Sequence, residues 1–183
     1  MVESTHVWYV GYGSNLFSER FICYITGDRF RWGGSLASGC KDKTLPKENR
    51  PFIIPHGLFF AKSSSSWGNG GIAFVTPKRD ESMHTYGRMW KITEEQFSKI
   101  WDQEGSWYDE KIDLGRDDEG VPIWTITSKY KLNFSKPSDN YLKTIIAGLK
   151  ETHHLSDKDI MKYLMKTPGI KDNFKEKDLD SLF

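Results

Sequence analysis

Two places in the chain combine residue types and spacing that could do chemistry. Gly11-Tyr12-Gly13-Ser14-Asn15-Leu16 follows directly on the apolar run Val7-Trp8-Tyr9-Val10, so a chain leaving a buried strand turns at once through two glycines. Gly11 and Gly13 tolerate backbone angles closed to other residues and permit close approach, while Ser14 and Asn15 hydrogen-bond nearby main chain and start helices. N–H groups converging at such a turn hold an anion, or an oxyanion that develops during a reaction. A glycine turn that only ends a strand is the plain alternative.

The second place is Glu104. Thr93 and Gln96 form a capping box, Glu94 and Glu95 suit the positive end of a helix dipole, and Gly105 supplies a stop, which predicts a helix over 94–104. Phe97, Ile100, Trp101 and Glu104 then fall at i, i+3, i+4 and i+7, so Glu104 projects from the apolar face and Asp102 and Gln103 do not. A carboxyl group there, its pKa raised by burial, could take and return protons near neutral pH. The plain alternative is a solvated glutamate at a helix end.

Other chemistries fail on spacing. Leu16 stands where a dinucleotide fingerprint needs its third glycine and where a nucleophile elbow around Ser14 needs glycine. His6, His56, His84 and the pair His153-His154 have neither the i, i+4 spacing nor the neighbouring cysteines of a metal site, so no metal is expected. Cys23 and Cys40 read as reduced thiols, and Trp67-Gly68-Asn69-Gly70-Gly71 as a flexible approach to a strand.

The elements that must position these groups can be read around them. At 183 residues with 37% hydrophobic and 14% aromatic content, the chain has enough apolar mass for one compact unit, and a single domain over 1–183 is expected. A formal charge of +1 gives no general field for nucleic acid or an anionic membrane, and a small neutral or zwitterionic ligand suits better. Residues 1–6 lack the basic start and apolar centre of a signal peptide, and no apolar stretch is long enough to span a bilayer, which points to a soluble cytoplasmic protein. Strand patterns occur at 7–11, 57–62, 71–76, 85–92, 107–114 and 122–134, with Asp117-Asp118-Glu119-Gly120 as a hairpin turn. Further helices are expected after Pro137-Ser138-Asp139 and after Ser156, and the polar stretch over 41–55 reads as a surface loop or insertion. The expected class is α+β, a small mixed barrel of about six strands flanked by helices.

Tyr9-Val10-Gly11-Tyr12-Gly13-Ser14-Asn15-Leu16 resembles the signature loop of the gamma-glutamylcyclotransferase-like superfamily, and Asp102-Gln103-Glu104-Gly105 is similar to the segment carrying its catalytic glutamate. Trp67 to Phe74 and Pro137 to Tyr141 resemble a strand entry and a substrate-side tyrosine segment of gamma-glutamylcyclotransferase itself. The resemblance covers residues 7–168; the insertion at 41–55 and the last fifteen residues stand outside it. It implies a small mixed barrel flanked by helices. It also implies that Glu104 is the general base and acid, and that Tyr9, Val10, Gly11, Tyr12, Gly13, Ser14 and Asn15 bind substrate. Tyr108 and Tyr141 resemble ligand-side tyrosines, although either is equally readable as a core aromatic. The implied reaction is closure of a γ-glutamyl group to 5-oxoproline with release of an amine, without a cofactor. Hydrolysis of a γ-glutamyl bond, and a noncatalytic binding or interaction protein on the same barrel, are the alternatives. The expected partner is a small γ-glutamyl molecule, with the chain a monomer or a homodimer.

A lid that includes residues 41–66 is a hypothesis to be tested. A lid there is cut early by protease and more slowly when ligand is bound; equal cutting rates with and without ligand would remove it.

Overall fold

The computed structural model describes residues 5–183; residues 1–4, on which the signal-peptide reading partly rests, lie outside the described residues. In chain order, β1 (His6–Gly11) leads through a single 3-10 turn (Ser14–Leu16) into α1 (Ser18–Thr26). Then come β2 (Asn49–Ile54), β3 (Leu58–Ser64), β4 (Gly70–Val75), β5 (Thr85–Thr93) and α2 (Glu94–Glu104). The chain finishes with β6 (Glu110–Arg116), β7 (Pro122–Thr127), α3 (Asp139–His153), α4 (Asp157–Met165) and the short α5 (Glu176–Leu179).

β1 is the pivot of the sheet. Its apolar run leaves every residue from Val7 to Gly11 buried, as a strand covered on both faces requires. It pairs antiparallel with β5, from His6 opposite Thr93 to Gly11 opposite Arg88, and parallel with β7, Trp8 opposite Ile123. β2 extends the sheet beyond β5 and β6 beyond β7, giving the order β2-β5-β1-β7-β6. The turn at Asp117–Gly120 does join β6 to β7 as an antiparallel hairpin.

The α+β class holds, with helices flanking a mixed sheet. The strands differ from the expectation in number and in closure. They form a five-stranded sheet and a separate β3-β4 ribbon, and among the described residues no backbone ladder closes these into a barrel. Between β4 and β7 a side chain stands in for the ladder: Val75 N–H donates to Thr127 Oγ1 at 3.2 Å, and that hydroxyl donates back to Val75 O at 2.6 Å. The Tyr108 hydroxyl caps the Ala73 carbonyl of β4 at 2.7 Å. The two sheets are therefore stitched by side chains, which alternation patterns do not reveal.

The stretch over 41–55 is corrected in the same way. It is not all loop, because Asn49–Ile54 pairs with β5 from Asn49 opposite Trp90 to Ile54 opposite Thr85. Most of that strand is exposed and contains Pro51, which an edge strand tolerates and a buried one does not. The preceding residues are also tied down, since Gln96 Nε2 donates to the carbonyls of Asp42 and Thr44 at 3.0 and 2.8 Å. Helix α2 has the expected bounds and both halves of its capping box. The expected strand at 107–114 begins only at Glu110, so Trp107 and Tyr108 lie in the turn that follows α2; the run expected to reach residue 134 ends as a strand at Thr127.

Replacing Thr127 by valine keeps the volume but leaves the Val75 amide and carbonyl buried and unpaired, a loss of about 1–3 kcal/mol of unfolding free energy. Chemical denaturation of T127V measures it, and an unchanged midpoint would show that the seam does not depend on this hydroxyl.

Candidate active site

The turn that leaves β1 is held from behind. Leu16 N–H closes onto Gly13 O at 3.1 Å and Phe17 N–H onto Ser14 O at 3.2 Å, so residues 13–17 form one helical turn whose first amides have no intrahelical acceptor. Its carbonyls are anchored on β5: Trp90 Nε1 donates to Asn15 O at 3.0 Å and Arg88 Nη1 to Leu16 O at 3.1 Å. Arg88 is in turn ion-paired with Glu151 of α3. Helix α3 lies directly on the turn because residue 148 is glycine; a Cβ there would come within 2.4 Å of Leu16 Cβ. Gly13 is needed for a similar reason, since a Cβ would stand 2.7 Å from the Tyr141 hydroxyl.

The carbonyl side of the turn faces its anchors, and the other side opens on a cavity of about 30 Å³, room for roughly one water. Glu104, the last residue of α2, reaches into it and accepts a hydrogen bond from Asn15 Nδ2 at 2.6 Å. The same Nδ2 lies 3.0 Å from the Tyr9 hydroxyl, while Asn15 Oδ1 is buried and has no partner among the described residues. Tyr12, Gly13 and Ser14 continue the wall, and Tyr108 and Tyr141 close it with Ala73 and Ile126. Of the expected site residues, Val10 and Gly11 are not in the wall. Val10 is buried in the sheet with its carbonyl bonded to Thr125 Oγ1, and Gly11 packs against Asn15. Among the described residues that line the cavity, none comes from 41–66.

Both Tyr108 and Tyr141 are buried at once in the core and in the cavity wall. The Tyr141 oxygen accepts from Ala73 N–H at 3.0 Å and also faces the Ser14 amide, and its ring packs edge-on to Trp67. Tyr108 stacks on Phe74 with centroids 4.8 Å apart. Burial, more than any neighbour, raises the pKa of Tyr9, Tyr12, Tyr108 and Tyr141, so each keeps its proton at neutral pH.

Glu104 remains half-buried as a residue, but its carboxyl is enclosed by this wall. Burial raises its pKa; the Arg20 guanidinium and hydrogen bonds from Asn15 and Tyr24 oppose the rise without cancelling it. A carboxylate so placed is a better proton acceptor than a solvated one and can also hand the proton on. The sequence reading missed Tyr24 and Arg20. Their i, i+4 spacing beside Phe21 and Ile25 would have placed them together on a helix, but α1 lacked a recognisable cap, its N-terminal flank being Phe17 without a side-chain bond.

Among the described residues no cluster of three or more histidine, cysteine, aspartate or glutamate side chains is arranged to hold a metal, and no helix is long and apolar enough to cross a membrane.

The chain matches no protein-family model. Over 87% of its length it is 31% identical to a segment of Histone deacetylase 5 of Arabidopsis thaliana; the alignment of 201 positions covers 30% of that protein. The chain thus spans less than a third of the curated relative it matches. Among solved structures it is similar to a gamma-glutamyl cyclotransferase, with TM-score 0.61 and 21% identity over 97% of this chain and 98% of the other. An uncharacterized protein from Homo sapiens gives TM-score 0.61 and 21% identity over 95% and 97% of the two chains. YkqA from Bacillus subtilis gives TM-score 0.56 and 16% identity over 89% of this chain and 55% of its own. The fold is that of gamma-glutamyl cyclotransferase.

A raised carboxyl pKa has a signature in stability. The unfolded chain releases the Glu104 proton near the ordinary value of 4.5, whereas the folded protein holds it to higher pH. The favourable contribution is therefore complete below pH 4.5 and is lost as pH rises through the folded pKa. Glutamine carries no such dependence. The stability of E104Q relative to the native protein should grow between pH 4 and pH 8 in paired denaturation curves; a constant difference would mean that Glu104 ionises as in water, and a shrinking one that its pKa is lowered rather than raised.

Proposed function

We propose that the protein is a cyclotransferase that converts a γ-glutamyl compound to 5-oxoproline and releases the amine. The observation that carries this reading is the 2.6 Å contact between Asn15 Nδ2 and Glu104 beside the amide end of the β1 turn, in one small, partly open pocket. Acceptors and donors are there on facing sides of a small space. The shared fold is consistent with it.

The chemistry follows from what each group offers. A γ-glutamyl substrate has an α-ammonium within reach of its own γ-carbonyl, and a well-oriented intramolecular attack has an effective molarity of about 10⁵ M or more. The ammonium is not a nucleophile until it loses a proton. Glu104, ionised, takes that proton, with the unpartnered Asn15 Oδ1 as a second acceptor for the same group. The freed amine attacks the γ-carbon, and negative charge moves to the carbonyl oxygen. Amides from Tyr12 to Asn15 supply donors for that oxyanion, fixed beforehand because the turn is anchored on Trp90 and Arg88. Glu104 then returns its proton to the leaving nitrogen as the carbon–nitrogen bond breaks and the carbonyl re-forms. The ring nitrogen, cationic since the attack, gives up its second proton, which leaves with the released amine as its ammonium form, so Glu104 ends ionised and protons and charge balance without a cofactor. Tyr141, protonated and accepting from Ala73, keeps its hydroxyl hydrogen for the substrate carboxylate, while Tyr108, whose hydroxyl is spent on the Ala73 carbonyl, shapes the wall beside it. A γ-glutamyl group is larger than the cavity, so its entry displaces part of the wall. The turn Gly105–Trp107 is the segment suited to give way, because it is exposed and Gly105 has nothing packed against it.

Incubation with a panel of γ-glutamyl amino acids and γ-glutamyl amines, read by mass spectrometry, should yield 5-oxoproline from the native protein. E104Q should lose about 10²- to 10⁴-fold in rate while remaining folded. Glutamate as the product would make the protein a γ-glutamyl hydrolase. No product from any member, with both proteins folded, would leave a binding protein on this fold.

A further inference from the structure

Helix α1 carries a buried cation that the reaction as drawn leaves unused. Arg20 is 1% exposed. Of its three nitrogens only Nη2 is partnered, donating to the Tyr24 hydroxyl at 2.8 Å; Nε and Nη1 have no partner among the described residues. Its guanidinium carbon lies 4.4 Å from the Tyr24 ring centroid and 5.8 Å from that of Trp67, whose ring packs on Tyr141 of the cavity wall. The chain closes over it at Gly34, where a Cβ would stand 2.9 Å from the guanidinium carbon. A half-satisfied buried arginine is a costly way to fill space, and methionine would pack there with less penalty.

Its surroundings give it a direction. A tyrosine hydroxyl accepts and donates through the same oxygen. The end of α2 is held against the Arg20–Tyr24 pair, since Gln103, next to Glu104, donates to the Tyr24 carbonyl at 3.0 Å, and the protonated Tyr24 hydroxyl is among the groups that favour the charged form of Glu104. We propose that Arg20 is a positioning residue of the reaction: through the Tyr24 hydroxyl, its guanidinium is the fixed positive charge against which Glu104 carries negative charge while it waits for the substrate proton. The other groups facing Glu104 supply no such charge. Tyr9 from β1, Tyr12 and Asn15 from the turn, Tyr108 from the turn after α2 and Tyr141 from α3 are neutral. Arg20 acts at one remove, without touching substrate.

The inference rests on the cyclotransferase reading for its meaning, but its test needs no turnover. Glu104 is followed by carbon-13 NMR in protein labelled at the glutamate carboxyl, its signal identified by its loss in E104Q. In R20M the titration midpoint should rise by about one pH unit. R20K, which keeps the charge, should stay closer to the native midpoint, and Y24F should shift it upward by less than R20M. An unchanged midpoint in folded R20M overturns the proposal, as does an unchanged midpoint in Y24F if R20M does not fold. Failure of the native protein to form 5-oxoproline would instead count against the reaction and leave this titration result standing.

Discussion

The constraint on which the rest depends is that a buried strand must end and its chain reverse beside a carboxylate. β1 has no free edge, being paired on both sides, so it can leave the sheet only at its end, through Gly11 and Gly13. The turn is made rigid by hydrogen bonds to its carbonyls from Trp90 and Arg88, and α3 is laid against it through Gly148. Once the carbonyls are used on one side, the amides are committed to the other. The placement of Asn15, and with it the hydrogen bond to Glu104, follows from that division.

What was legible in the sequence was local. The capping box, the first-turn acids and the glycine stop placed α2 to the residue, and Glu104 came with the spacing of its apolar stripe. The glycine turn was visible because a run of buried residues met two glycines without a polar interval. β2 was not visible, since an exposed edge strand has no buried face to leave a period of two, and its polar residues look like loop. The closing of the two sheets was hidden for another reason. It depends on Thr127 meeting Val75, residues fifty-two positions apart, and nothing in either segment announces the other.

The same limit explains why Arg20 and Tyr24 were missed while Tyr108 and Tyr141 were noticed. An arginine among phenylalanine and isoleucine reads as a helix face that tolerates one charge at its border. Only the tertiary structure shows it sealed beneath Gly34 and Trp67. Tyr108 and Tyr141, posed as either ligand-side or core aromatics, are buried in the core and at the same time line the pocket, since a pocket this small is bounded by the core itself.

The size of that cavity has a further consequence. With space for roughly one water, the pocket leaves little solvent around the Glu104 carboxyl, and the charge that the proposed reaction moves between a nitrogen, a carboxylate and a carbonyl oxygen would be met mainly by protein dipoles. The dipoles that respond are hydroxyls and amides already locked in place by their own bonds to β4, β5 and β7. In the proposed reaction little reorganisation energy would then be spent on those dipoles at the moment of transfer, because folding has already oriented them.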